Sequence, residues 1–170
     1  MGLMQAIGYE RRPASAFQRG VQRVASTRAG AWCFSKTITP VDRIVHRASR
    51  GRFTLPELLA GLPVIMVTTT GRRSGLPRVS PLVGVPIGDD LAIVGTNFGQ
   101  RSTPAWVHNL EAEPQARVGY RDAEVDARAR PASAEERTEI LRTAASIYPG
   151  YDKYQERITG RTIAVFILED

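Results

Sequence analysis

The sequence predicts an α+β, mainly β fold: a small antiparallel β-barrel with helices ahead of it. Three observations predict it. Six short runs rich in β-branched residues recur after the first third of the chain, most of them joined by tight turn signals. Successive runs lack the long helical crossovers that parallel pairing needs. And 170 residues, 42% hydrophobic and 24% charged, suffice for one domain with its own core plus an appended segment.

The first third reads as helical and amphipathic. Phe17, Val21 and Val24 recur at helical spacing, with Gln18, Arg19, Gln22 and Arg23 on the other side. Trp32 and Phe34 lie beside Lys36, a mix suited to a lipid headgroup interface. Val41, Ile44, Val45 and Ala48 form a second stripe, and Thr54 to Glu57 resembles a capping box for a short third helix. Two uses fit such stripes: packing on the barrel, or contact with a membrane surface.

The strands follow. Leu62 to Thr70 is a buried, β-branched run, and Gly71 to Gly75 turns the chain. Arg78 to Ile87 alternates, placing Val79, Pro81, Val83, Val85 and Ile87 on one face. Gly88-Asp89-Asp90 turns back into Leu91 to Thr96. Thr103 as N-cap and Pro104 at the first helical position open a helix holding Trp106, Val107 and Leu110. Ala116 to Tyr120 and Ala123 to Ala129 form a hairpin across Arg121-Asp122. Ser133 to Glu136 is a capping box opening a helix to about Ile147, and Thr162 to Leu168 closes the sheet.

Composition excludes several chemistries. A single cysteine, Cys33, permits neither an internal disulfide nor a Cys-based zinc site, and His46 and His108 are too far apart in sequence to form a paired-histidine metal motif. No apolar run is long enough to span a bilayer, and no secretory h-region is present, so the expectation is a cytoplasmic protein. Charge is uneven. Residues 1–52 carry ten cations against two acids, +8, whereas residues 53–170 carry thirteen against fifteen, −2. The expected organisation is a basic helical arm over 1–52 and a barrel domain over 53–170. The imbalance argues against a nucleic-acid binder and for peripheral contact between the arm and an anionic membrane.

Three motifs could carry chemistry. Thr68 to Gly75, followed by Arg78, is a glycine-bounded turn in which Arg72, Arg73 and Arg78 converge and backbone N–H groups stay free, which suits a polyanionic ligand. It has neither the spacing of a P-loop nor that of a nucleophile elbow. Gly95 to Gln100, leading to Thr103 through Leu110, joins a strand end to a helix N-terminus; Asn97 adds polar capacity and Trp106 a flat wall. Tyr148, Tyr151 and Tyr154 sit three apart and could share one helical face or line a loop as an aromatic pocket. His108 and Cys33 read as structural residues, since no nucleophile partner for a catalytic base is evident.

Taken in order, TTTGRRSG with Pro77-Arg78 behind it, Pro81-Leu82, GTNFG, PAWVHNL and YPGYDKY resemble the deazaflavin-dependent nitroreductase family. The resemblance runs from about Leu62 to Asp170, and the stretch from Val41 to Gly61 is similar to the segment preceding the barrel in longer members. It implies a split β-barrel like that of FMN-binding proteins. It implies the 8-hydroxy-5-deazaflavin coenzyme F-420, whose anionic tail would face Arg72, Arg73, Ser74 and Arg78. Val79, Ser80 and Pro81, with Thr96, Asn97, Ala105, Trp106 and Asn109, would hold the ring and ribityl chain. Tyr148, Tyr151 and Tyr154 would line the substrate side, Tyr151 hydrogen-bonding to substrate or cofactor. Members often carry Lys where this chain has Arg73, which keeps the charge, and Ser-Lys where it has Thr96-Asn97, which removes a cation beside the ring. The implied reaction is hydride transfer from reduced F-420 to a small electron-poor quinone, enone or nitro compound. The alternatives are an FMN enzyme on the same barrel and a membrane-associated binding module. Either a monomer or a homodimer is compatible with the sequence.

Overall fold

A computed structural model describes residues 2–10, 14–27 and 60–170. Among these, α1 spans Leu3–Ala6, α2 Ala16–Ala25, α3 Ala105–Ala112, α4 Ala134–Ile147 and α5 Gly150–Arg157. The strands are β1 Val64–Thr70, β2 Pro77–Val83, β3 Val85–Ile87, β4 Asp90–Val94, β5 Gln115–Tyr120, β6 Ala123–Pro131 and β7 Val165–Glu169. A single 3-10 turn, Asn97–Gly99, follows β4. The stripe from Val41 to Ala48, the Trp32–Lys36 segment and the capping box at Thr54 lie outside the described residues.

All strand pairs are antiparallel, in the order β2-β1-β5-β6-β7-β4-β3. The expected run from Arg78 to Ile87 is present but broken at Gly84 into β2, paired to β1, and β3, paired to β4. These are the two edges of the sheet, so one continuous segment brings the curled sheet round upon itself. Gly84 is required there: a Cβ would press on the Tyr9 ring at 3.2 Å and on Ile65 at 3.4 Å. The alternating face read for this run is buried only in its second half. Val79 is 57% exposed and Pro81 is also exposed, because none of the described elements packs over the outer part of the β2 edge.

Both faces of the sheet are covered. Ile65, Val67, Leu91, Ile93, Val118, Phe166 and Leu168 face one core with Trp106, Val107 and Leu110 of α3. Leu3 and Ile7, in and just after α1, seal that core, and the Leu3 N–H donates to the Asp90 carboxylate at 3.1 Å. Val64, Ala92, Val94, Val165 and Ile167 face the other core, roofed by Ile140, Ala144 and Ile147 of α4 and the tyrosines at α5. Hence β4 and β7 read as continuous apolar runs rather than alternating ones.

Two helical details differ from expectation. α3 begins one residue later than Thr103 would set, with Pro104 in extended backbone as its N-cap and no side-chain cap. In α2 the apolar stripe is not the docked face. Phe17 and Val24 are 70% and 65% exposed, while Gln22 and Ala25 are buried. At about 100° per residue, the docked side centres roughly 90° round from Phe17, with Val21 at the boundary. The expected capping box at Ser133 forms, and Ser15 with Gln18 makes a second one, not read from the sequence, at the start of α2.

Arg130 on β6 ties the end of the sheet to α4. It donates to Glu136 through both terminal nitrogens, at 2.7 and 2.8 Å, and to Glu169 of β7 at 2.5 Å. Those bonds, and the Ser133 N–H, hold the Glu136 carboxyl down at about 2. A depressed carboxylate contributes stability that is present above its unfolded value and lost as pH falls through the folded one. We therefore expect the melting temperature to decline between about pH 4.5 and pH 2, and Glu136→Gln to flatten that decline while lowering the neutral-pH melting temperature. Thermal melts across that range check this; parallel curves for the two proteins would refute it.

Candidate active site

A cavity of about 290 Å³ opens between the outer face of the sheet, α2 and α5. Its walls are mostly apolar. Ser80 to Val83 of β2 supply one side, Pro104 and Trp106 at the start of α3 another, and Tyr148, Tyr151 and Tyr154 a third. Val64, Val94, Leu62, Ala60 and Ala25 complete it, with Thr96, Asn97 and Phe98 at the turn after β4.

The three tyrosines form one cluster. Tyr148 ends α4, while Tyr151 and Tyr154 lie on α5, a short helix the sequence reading does not place. Ring centroids are 5.9 to 6.5 Å apart with tilted planes, and the hydroxyls of Tyr148 and Tyr154 share a hydrogen bond at 3.1 Å. Gly150 makes this possible, since a Cβ there would lie 2.2 Å from the Tyr148 ring. The Tyr151 backbone N–H donates to the Tyr148 carbonyl at 3.0 Å, but among the described residues its hydroxyl makes no hydrogen bond. Burial raises all three phenols above their ordinary value, so they stay protonated through the neutral range.

The turn after β4 is strained and clamped. Asn97 and Phe98 have φ of 48° and 55°; asparagine tolerates this, but for phenylalanine it costs about 1–2 kcal/mol. Arg161, which the sequence reading missed, holds the turn. Its guanidinium donates to the carbonyls of Gly95, Thr96 and Gln100 at 2.9 to 3.1 Å. Asn97 commits its amide hydrogens to Ser102, and the Phe98 ring meets Tyr154 edge-on at 6.5 Å.

The arginine turn lies at the head of β2, outside the cavity lining. Arg72, Arg73 and Arg78 are exposed, and none forms an ion pair among the described residues. The expectation of free backbone donors there holds only at Arg73. The N–H groups of Gly71, Ser74 and Gly75 close the turn on itself, that of Leu76 meets the Ser74 hydroxyl, and that of Arg72 donates to Asn109. The guanidinium groups are therefore the main donors the turn offers to an anion. Arg78 and Ser80 are two residues apart on β2, so the turn is about 6–7 Å along the strand from the cavity wall.

Of the residues singled out from sequence, Ser80, Pro81, Thr96, Asn97, Trp106 and the three tyrosines line the cavity. Arg72, Arg73, Ser74, Arg78, Val79 and Ala105 are exposed outside it. Asn109 is buried beneath the turn: its amide nitrogen donates to the Thr69 hydroxyl at 3.0 Å and its oxygen accepts from the Arg72 N–H at 3.1 Å. It joins α3 to the end of β1 and to the arginine turn. Missed wall residues, such as Ala25 and Ala60, are small apolar residues with no sequence signal to mark them.

The family model described as "F420H(2)-dependent quinone reductase" matches residues 41–170. The chain belongs to that family. An F420H(2)-dependent quinone reductase of Mycobacterium tuberculosis (strain ATCC 25618 / H37Rv) is 27% identical over 128 residues, covering 73% of this chain and 84% of that protein. A solved structure described as an F420-H2 dependent reductase (FDR-A) is 37% identical, with a TM-score of 0.58, over 63% of this chain and 94% of that one. Another, described as a domain-swapped dimer, is 32% identical with a TM-score of 0.60, over 76% and 94%. The fold is thus the split barrel of the F-420-dependent reductases, the protein is an oxidoreductase, and its cofactor is coenzyme F-420. Among the described residues no helix is long and apolar enough to cross a membrane, and no group of side chains could hold a metal ion.

The residues present fit that cofactor. Unpaired guanidinium groups suit an anionic tail, and an aromatic, proline-walled slot suits a flat ring. Removing the support under the turn should be costly. Asn109→Leu leaves the Arg72 N–H without its acceptor and the Thr69 hydroxyl with only its long bond to the Arg78 carbonyl, at 3.4 Å, and we expect about 1–3 kcal/mol of lost stability by urea denaturation. A loss under 1 kcal/mol would mean these bonds are replaced by water.

Proposed function

We propose that the arginine turn holds the anionic tail of F-420, that the slot between β2, the turn after β4 and the start of α3 holds its ring, and that the tyrosine side of the cavity takes a quinone. The observation that carries this reading is the course of β2. One strand leads from three unpaired arginines straight into an apolar, aromatic cavity, as an elongated ligand with a charged tail and a flat head requires. When bound and reduced, F-420 supplies a hydride at C5 of its ring.

The chain's own residues do the rest. Arg72, Arg73 and Arg78 bind by charge, with Ser74 beside them. Val79, Ser80 and Pro81, with Thr96, Asn97, Ala105, Trp106 and Asn109, fix the ring directly or through the elements they brace. Tyr148, Tyr151 and Tyr154 exclude water and position the substrate. Tyr151 has the phenol left uncommitted by the Tyr148–Tyr154 pair, and it donates a hydrogen bond to the quinone oxygen. Because burial raises its pKa, it acts as a protonated donor and not as a base.

Fluorescence titration of oxidised F-420, with FMN in parallel, tests the cofactor assignment. We expect F-420 to bind in the micromolar range and FMN far more weakly. Arg72→Gln and Arg78→Gln should each weaken F-420 by about tenfold at low salt, with the difference shrinking as salt rises. Tighter binding of FMN, or arginine variants that bind as the wild type does, would overturn it. Tyr151→Phe should lower kcat/KM for quinone about 10–100-fold without weakening F-420, and wild-type activity should show no loss assignable to tyrosine ionisation below about pH 10.

A peripheral membrane contact through the N-terminal arm is part of the same proposal. It is supported by Phe17 and Val24, exposed side by side on α2, with Arg19 and Arg23 beyond them and the +8 charge of residues 1–52 behind. The occupant is an anionic bilayer, by charge complementarity. Sedimentation with phosphatidylglycerol vesicles should carry the protein down, and Phe17→Ser with Val24→Ser should release it. Equal binding by both proteins would refute the contact. A homodimer is the assembly we favour, on the domain-swapped neighbour.

A further inference from the structure

The family model begins at residue 41, yet α2, which precedes it, forms part of the cavity wall. Ala25, in the last turn of α2, is 8% exposed and lines the cavity. Three hydrogen bonds fasten that end of the helix. Gln22 donates from its buried amide to the Ala60 carbonyl at 2.7 Å, holding α2 to the segment that enters β1. Lys153 donates to the Ser26 hydroxyl at 2.9 Å, and Arg157 to the Ser26 carbonyl at 2.9 Å. Both cations are on α5, the helix of Tyr151 and Tyr154, and Arg157 also lies over the Tyr154 ring at 5.9 Å.

The wall that α2 completes has a distinct chemistry. The tyrosine side carries hydroxyls, and the turn after β4 carries Thr96 and Asn97. Ala25, Ala60, Leu62 and Val64 offer no polar side-chain atom. A quinone whose oxygen meets Tyr151 finds its hydrogen-bond donor on one side and a purely hydrocarbon surface here. Such a surface suits an aliphatic substituent and gains nothing from a bare ring. In a cavity of about 290 Å³ one side chain changes what fits.

We propose that α2 is a working wall of the substrate pocket and that Ala25 is a specificity-determining residue, its methyl setting the room for an aliphatic substituent on the quinone ring. This rests on the quinone reading above. Ala25→Leu fills the space that the substituent needs, and Ala25→Gly enlarges it near the end of the helix, where a glycine is least disruptive. A substrate carrying no such substituent is indifferent to both.

The test compares menadione, a naphthoquinone without a tail, with a naphthoquinone bearing one isoprenoid chain, each reduced by F-420H2. Ala25→Leu should lower kcat/KM for the tailed quinone at least tenfold more than for menadione, and Ala25→Gly should shift the ratio the other way. A second readout needs no turnover. In a Trp32→Phe background the remaining tryptophan, Trp106, lines the cavity, and its quenching by each quinone gives the affinities; the tailed quinone alone should lose affinity in Ala25→Leu. Gly20→Ala, on the same helix with open space around it, should leave the ratio unchanged. Equal effects on both quinones, or a ratio moved as far by Gly20→Ala, would overturn the assignment, and if Ala25→Leu does not fold, the direction of the Ala25→Gly shift decides. A wild-type protein that reduces neither quinone would instead overturn the quinone reading itself.

Discussion

The constraint on which the rest of this protein depends is that its sheet must be covered on both faces. β4 and β7 carry apolar residues at successive positions, so neither face can meet water without loss of the core. One face is satisfied within the curl of the sheet, helped by α3 and by Leu3 and Ile7. The other needs a helical roof, and that roof is assembled from pieces distant in sequence: α4, α5 and α2. Among the described residues, the cavity lies where these roof pieces meet the β2 edge, and its lining by core-facing side chains makes it mostly apolar, with few polar groups.

Those margins are where the chain accepts unfavourable local structure. Phe98 is held in left-handed backbone beside Asn97, and the turn persists because the Arg161 guanidinium gathers its carbonyls and the ring packs on Tyr154. Arg161 does this with its Nε buried and unpaired, and burial lowers its pKa. A lysine could not span the same carbonyls, because a single ammonium lacks the planar fork. Asn109 plays the matching part under the arginine turn, consuming the N–H of Arg72. The turn is thereby fixed from below, and its arginines are left to act from above.

Much of this was legible in the residues. β-branched runs, turn glycines and the Ser133-x-x-Glu136 cap announce their elements locally, and the structure contains them. Of the residues singled out from sequence, Ser80, Pro81, Thr96, Asn97, Trp106 and the three tyrosines line the cavity, whereas the arginine turn lies outside its lining. What sequence could not show was long-range. That Gly84 splits one run into both edges of the sheet depends on Tyr9 and Ile65, neither adjacent in sequence. That Gln22 and Ala25, and not Phe17 and Val24, form the docked face of α2 depends on an α5 whose cations reach Ser26. Amphipathicity identifies an apolar stripe; it does not say whether that stripe meets protein. Backbone donors at the arginine turn were misjudged for the same reason: their acceptors include a side chain on a helix far along the chain.

The site therefore separates its two electrostatic tasks in space. At the turn, permanent charge sits in water, where salt weakens its attraction for an anion, and most of the backbone donors are already committed. In the cavity there is no fixed charge to attract or repel a substrate; the tyrosine phenols, pushed upward by burial, are neutral donors. A neutral, protonated lining is compatible with a lipophilic quinone, which a buried cation or carboxylate would meet only at a desolvation cost. In the proposed assignment, charge for the cofactor's tail and neutrality for the substrate follow from where β2 begins and where it runs.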